Sequence, residues 1–127
     1  MVAPMVFMIK KLERNSWKIE YWCENKGVNS VEKWFDSLTD EQFKSLAKEL
    51  KLLELCGNEL KLPHSRSLKQ GLFELRERKY GYRIYYTFSS NKIILLLHAG
   101  DKKSQDKDIL VARKRLKELI GIVGDER

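Results

Sequence analysis

The chain has 127 residues, 43% hydrophobic and 34% charged, which allows one domain (1–127) with a modest core and excludes two ordinary domains or a disordered chain. Its 25 basic residues against 18 acidic ones leave a net charge of +7, which favours an anionic partner over a purely solubilising role. The two cysteines, Cys23 and Cys56, form no CxxC and sit in apolar patterns as buried free thiols, and His64 and His98 lack partners at metal-ligand spacing. A disulfide scaffold and a metal centre are therefore excluded, and a reducing cytoplasm is the expected setting.

The opening run Met1 to Ile9 is apolar but short and has no basic n-region, so it is expected to be neither a signal peptide nor a membrane span. Met1, Met5 and Met8 all offer translation starts. Val6 to Lys11 and Trp17 to Trp22 read as strands, with Glu13-Arg14-Asn15-Ser16 as turn material, and can pair as a hairpin. Asn29 or Ser30 caps a short helix to about Leu38, with Val31, Trp34, Phe35 and Leu38 on its apolar face. Thr39-Asp40-Glu41-Gln42 fits a capping box, and Phe43, Leu46, Ala47, Leu50 and Leu53 form the stripe of the helix that follows. Gly57 ends it, so the pair forms a helical hairpin.

From Leu72 the period changes to two. Phe73 and Leu75 share one face, Glu74 and Arg76 the other. Ile84, Tyr86 and Phe88 then share one face, while Arg83, Tyr85 and Thr87 share its opposite. Ile93 to Leu97 is apolar on both sides, as a central strand covered on both faces would be. These three strands form an antiparallel meander. After the loop Gly100 to Gln105, a last helix carries Ile109, Ala112, Leu116, Leu119 and Ile120 inward and leaves Arg113, Lys114, Arg115 and Lys117 mostly solvated.

The polar strand face carries the candidate chemistry. Glu74 and Arg76 can meet Arg83 and Tyr85 across the strands, and Lys102 and Lys103 can reach the same end. Arg66 and His64 precede the meander. Such a surface suits RNA, because arginine and lysine neutralise phosphate and tyrosines such as Tyr80 stack on unpaired bases. It also suits metal-free cleavage. Glu74 would take the 2′-hydroxyl proton, Arg83 and a lysine would hold the phosphate, and Lys102, Lys103, Tyr85 or His98 would protonate the leaving oxygen. Two plainer readings stand beside this one: Glu74 as a cross-strand salt bridge, and His98 as a satisfied, partly buried histidine.

The run Leu62-Pro63-His64-Ser65-Arg66-Ser67-Leu68-Lys69-Gln70-Gly71-Leu72-Phe73-Glu74-Leu75-Arg76 resembles a stretch of the phage-derived, HigB-like branch of the RelE/ParE toxin superfamily. Tyr82-Arg83-Ile84-Tyr85-Tyr86 is similar to a strand of that family. The same holds for the segment through His98 to Lys102-Lys103-Ser104-Gln105 and for Ala112 and Arg115 of the closing helix. The resemblance implies an α+β fold: a twisted antiparallel sheet, an N-terminal helical hairpin packed on one face and a C-terminal helix. It implies an mRNA endoribonuclease toxin of a type II toxin–antitoxin system, acting on the translating ribosome without metal or organic cofactor. The partner would be a helix-turn-helix antitoxin. Arg83, Lys102 and Lys103 match the family's basic positions, and Arg66 stands where it has a lysine. Glu74 replaces a lysine, and Gln105 to Asp108 offers no catalytic tyrosine or histidine. A non-nuclease toxin that poisons DNA gyrase is the alternative on the same fold.

Overall fold

The computed structural model of the chain describes residues 16–24, 27 and 29–125, with side chains through Ile120. The expected strand Val6 to Lys11 and its hairpin pairing lie outside the described residues. Apolar Trp17 and Ile19 alternate with Lys18 and Glu20, which suits a half-buried strand. That strand is β1 (Lys18–Tyr21).

Helix α1 (Ser30–Asp36) starts at Asn29, whose side-chain oxygen accepts the Glu32 amide at 2.9 Å. It stops two residues short of Leu38. Helix α2 (Asp40–Cys56) opens with the expected capping box. The Gln42 amide donates to Thr39 Oγ1 at 3.2 Å, and the Thr39 amide donates to Gln42 Oε1 at 2.8 Å. Caps of this kind stabilise a helix by about 1 kcal/mol. Gly57 ends α2 with φ +53°, and a Cβ there would sit 1.9 Å from Trp17 Nε1. The glycine therefore both terminates the helix and admits the tryptophan ring.

Strands β2 (Ser65–Ser67), β3 (Phe73–Glu77), β4 (Tyr82–Ser89) and β5 (Ile93–Asp101) are successive antiparallel neighbours. The sheet order is β1-β5-β4-β3-β2, and β1 lies parallel to β5, with Lys18 opposite Ile93 and Tyr21 opposite Leu96. The five-stranded sheet is thus mixed rather than wholly antiparallel. The antiparallel meander forms as expected, and β5 is interior, as its two-sided apolar pattern requires.

The helical hairpin covers one face, burying Val31, Phe35, Leu46 and Leu53 against Leu75, Ile84, Tyr86, Ile94 and Leu96. Helix α3 (Gln105–Asp125) covers the other, where Ala112 and Leu116 pack on Leu72, Tyr85 and Leu97. The two-sided apolar pattern of Ile93 to Leu97 calls for this second core; that it extends over Tyr85 of β4 is what the alternation of that strand did not reveal. Some stripe residues turn outward: Phe43 is 40% exposed and Ile120 57% exposed, and Cys23 is exposed rather than buried. Among the described residues no helix is long and apolar enough to cross a membrane.

Candidate functional site

The register assembles one line of side chains across four strands. Arg66 of β2 lies opposite Glu74 of β3, Glu74 opposite Tyr85 of β4, and Tyr85 opposite His98 of β5. The neighbouring line is Arg76, Arg83 and Gly100. Strand alternation had placed these residues on one face correctly. It had left that face open, whereas the first turns of α3 lie over it.

Glu74 is fully buried. Its Oε2 accepts Gln105 Nε2 at 2.7 Å, and its Oε1 sits 3.2 Å from Arg66 Nη2 and 4.0 Å from Arg83 Nε. The expected open carboxylate is therefore a covered one, held by α3 on one oxygen and by arginines on the other. Gln105 had no role in the sequence reading, yet it contacts Glu74 directly. Arg83 is 7% exposed and makes no side-chain hydrogen bond among the described residues. Arg76, its opposite number, is partly exposed and has no ion pair among the described residues. Two opposed arginines repel one another, and an anion between them relieves the repulsion.

Tyr85 corrects the sequence reading. It is fully buried beneath α3, so it cannot stack on RNA. Burial pushes its hydroxyl pKa upward, and Glu74 and Asp108 push it further, so the phenol stays protonated. His98 takes the plainer of its two expected roles, a satisfied, partly buried histidine, rather than that of an RNA contact or proton donor. Its Nδ1 faces Arg115 Nη1 at 3.3 Å. Arginine only donates, so Nδ1 accepts and Nε2–H donates to Asp108 Oδ1 at 2.8 Å. Both ring nitrogens are engaged, and His98 fastens α3 to β5. The other Asp108 oxygen accepts Ser104 Oγ at 2.5 Å. Gly100 makes this approach possible, since a Cβ there would lie 1.9 Å from Asp108 Oδ2.

Arg115 was expected in solvent and is instead an anchor. It donates to the Leu97 carbonyl at 2.7 Å and to Ser30 Oγ at 3.0 Å, and it stacks on Trp22 with 4.3 Å to the ring centroid. Leu97 is the residue passed over where the β4–β5 register shifts, so its carbonyl is turned to α3. Arg113 likewise ties down the loop before β3 through the Leu68 and Lys69 carbonyls, both at 2.9 Å.

At the far end of the sheet, buried Glu77 accepts the amides of Lys79 at 2.6 Å and Tyr80 at 3.0 Å, together with Ser45 Oγ at 2.9 Å. It shapes the turn that carries Arg78, Lys79 and Tyr80. The sequence reading missed it; a glutamate closing a strand just before Arg-Lys-Tyr-Gly was the available signal. Tyr80, Gly81, Tyr82, Asp101, Lys102 and Lys103 line a groove of about 560 Å³ beside that turn. Lys102 and Lys103 are exposed, as expected, but stand at this groove, and neither Arg66 nor Arg83 lines it. Among the described residues no three His, Cys, Asp or Glu side chains group around a metal position.

A mixed sheet clasped between a helical hairpin and a long closing helix is the fold of the RelE toxins. An E. coli RelE toxin variant in the free state superposes with TM-score 0.55 at 13% identity, over 81% of this chain and 97% of that one. The RelBE2 toxin–antitoxin complex from Mycobacterium tuberculosis gives TM-score 0.50 at 12% identity, over 68% of this chain and 99% of the matched chain. Within that fold, the sequence pattern of the family described as "Phage derived protein Gp49-like" matches residues 33–117, and the chain belongs to that family. An uncharacterized protein of Haemophilus influenzae is 42% identical over 55 residues, 42% of this chain. The match spans little more than half of that relative's length, 56%.

Proposed function

We propose that the chain is the toxin of a type II toxin–antitoxin pair and cuts mRNA by attack of the ribose 2′-hydroxyl on the adjacent phosphate. The observation that carries this reading is buried Glu74 paired with Arg66 and lying beside Arg83, with Arg76 opposite Arg83 in the strand register, on a RelE-like fold. Three guanidinium groups against one carboxylate leave surplus positive charge where a phosphorane would build up negative charge. Guanidinium also matches phosphate oxygens geometrically, which a lysine does not. Lys102 and Lys103 stand at the adjoining groove rather than in the arginine cluster, so either can protonate the departing 5′-oxygen only when the scissile phosphate lies toward that groove.

Glu74 holds Arg66 and Arg83 in position. For Glu74 to take the 2′-hydroxyl proton, half-exposed Arg66 must first swing off Oε1. The expected setting is the cytoplasm, with translated mRNA on the ribosome as substrate and a helix-turn-helix antitoxin covering the basic end. RelBE2, a structural relative, is itself a toxin–antitoxin complex, which supports that partner class.

The test is primer extension on cellular mRNA after brief induction, comparing the parent chain with Arg83→Gln. New 5′ ends at defined positions, lost in the variant while its circular dichroism is unchanged, support the proposal. Intact mRNA with gyrase-linked DNA breaks would contradict it and establish the gyrase reading.

A further inference from the structure

The turn between β3 and β4 carries an aromatic column separate from the arginine cluster. Trp34 of α1 meets Tyr82 edge-on, with centroids 5.1 Å apart at 88°. Tyr82 stacks on Tyr80 at 5.6 Å and 22°, and Lys79 Nζ lies 5.4 Å from the Tyr80 ring centre. The column is rooted in the core at Trp34 and reaches the groove at Tyr80. Glu77 fixes the turn from beneath through the Lys79 and Tyr80 amides. A platform set in advance loses little entropy when something stacks on it.

The lining identifies the occupant. Lys102 and Lys103 line the groove, are exposed and take no ion pair among the described residues, which suits a phosphate backbone passing the rim, and exposed Arg78 lies on the adjoining turn. A tyrosine face suits a base, since every base has a π-face. Asp101 adds direction. Its Oδ1 accepts the Lys103 and Ser104 amides at 2.9 and 3.1 Å, while Oδ2 takes no hydrogen bond among the described residues. A carboxylate oxygen only accepts, so it favours a base edge bearing an amino group over that of uracil, whose single ring N–H is flanked by two carbonyl oxygens that repel the carboxylate.

We infer that this groove is a nucleobase pocket for single-stranded RNA, which stacks one base on Tyr80 and selects amino-bearing bases over uracil through Asp101 Oδ2. The inference rests on the proposal that RNA is the substrate and names how the same surface chooses nucleotides.

The experiment is fluorescence anisotropy with end-labelled 2′-O-methyl oligonucleotides of about eight nucleotides, a length within the usual span of a single-strand site. The methyl group blocks the attacking oxygen, so binding is read without cleavage. Three probes are used: oligocytidine, oligouridine and an abasic strand of equal length. The parent chain binds oligocytidine more tightly than oligouridine. Tyr80→Ala weakens oligocytidine binding about ten-fold, Tyr80→Phe retains it, and both match the parent on the abasic strand. Asp101→Asn keeps a carbonyl oxygen for the turn amides but puts a donor in place of Oδ2, and it erases the preference for cytidine.

Equal oligocytidine affinity for parent and Tyr80→Ala overturns the pocket, as does equal parent affinity for oligocytidine and the abasic strand. An Asp101→Asn chain that keeps its preference overturns the selection. Loss of the pocket with mRNA cleavage intact leaves the nuclease reading standing. Base-dependent binding without cleavage does the reverse.

Discussion

Glu74→Gln is the substitution that separates holding from proton transfer. It preserves shape and removes only the charge. In the parent, Oε2 receives a bond from Gln105 at 2.7 Å; bonds to a charged acceptor contribute about 1.5–3 kcal/mol. Arg66 at 3.2 Å is half exposed, so its pairing adds no more than about 1 kcal/mol. Arg83 is 7% exposed and 4.0 Å away, and it loses the nearest countercharge while staying buried. Outright loss of a buried partner costs about 3–5 kcal/mol, but the longer Arg83 contact and the mobility of Arg66 lower that figure here. The expected loss is therefore about 2–4 kcal/mol, or roughly 10 °C in Tm for a domain of this size.

Urea unfolding followed by tryptophan fluorescence measures it, with an unchanged m-value expected. Two controls bracket the result. Arg66→Gln alone costs less than about 1 kcal/mol. Arg83→Met added to Glu74→Gln recovers part of the loss, because the uncompensated buried charge is then gone. A Glu74→Gln chain within about 0.5 kcal/mol of the parent, a surface-like effect, would refute the holding role. If such a chain also lost RNA cleavage, Glu74 would be the base.

Three further outcomes are expected. Gly100→Ala drives Asp108 away from His98 and Ser104, costing about 1–3 kcal/mol in the same unfolding assay; an unchanged midpoint would show that Asp108 can move freely. Arg76→Gln leaves stability unchanged or slightly improved by relieving its repulsion of Arg83, yet shallows the salt dependence of RNA binding by about 0.7 in slope for one lost contact; an unaltered slope would remove Arg76 from the interface. Alkaline titration supplies the third. Burial pushes Tyr86 up to about 12 and pushes Tyr85 up as well, both above the unfolded value near 10. The unfolded chain releases these protons first. The stability they contribute is therefore complete below about pH 10 and falls as pH rises toward 12, by about 2–3 kcal/mol for Tyr86. Tyrosinate absorbance rising for every tyrosine near pH 10 with no loss of stability would contradict this.

The local grammar of the chain was legible. The capping box at Thr39, the cap at Asn29, the terminating Gly57 and the alternation of the meander depend on residues close in sequence, and all appear in the structure. Alternation also put Glu74, Arg76, Arg83 and Tyr85 on one face. What it could not supply was the cover. The apolar stripe of Ile109, Ala112 and Leu116 announced an inward face on α3, but nothing local indicated that this face lies over Glu74 and Tyr85. Its docking depends on contacts between distant residues: His98 with Asp108, Glu74 with Gln105, and Arg115 with the Leu97 carbonyl. The parallel pairing of β1 with β5 was hidden for the same reason, since no turn signal joins them. Tyr85 was assigned to RNA because its exposure was inferred from strand phase alone, whereas the partly buried, satisfied His98 is the plainer of the two readings its sequence allowed.

The central claim is that arginines on this face promote attack of a 2′-hydroxyl. The chemistry of the cut ends tests it most directly. Purified chain is incubated with translating ribosomes, and the RNA released is examined for its termini in parallel reactions with the parent and Arg83→Gln. The account predicts 5′-hydroxyl ends with 2′,3′-cyclic phosphates, formed by the parent and lost in a folded Arg83→Gln chain. Ends bearing 5′-phosphate, or equal cutting by both chains, would contradict it.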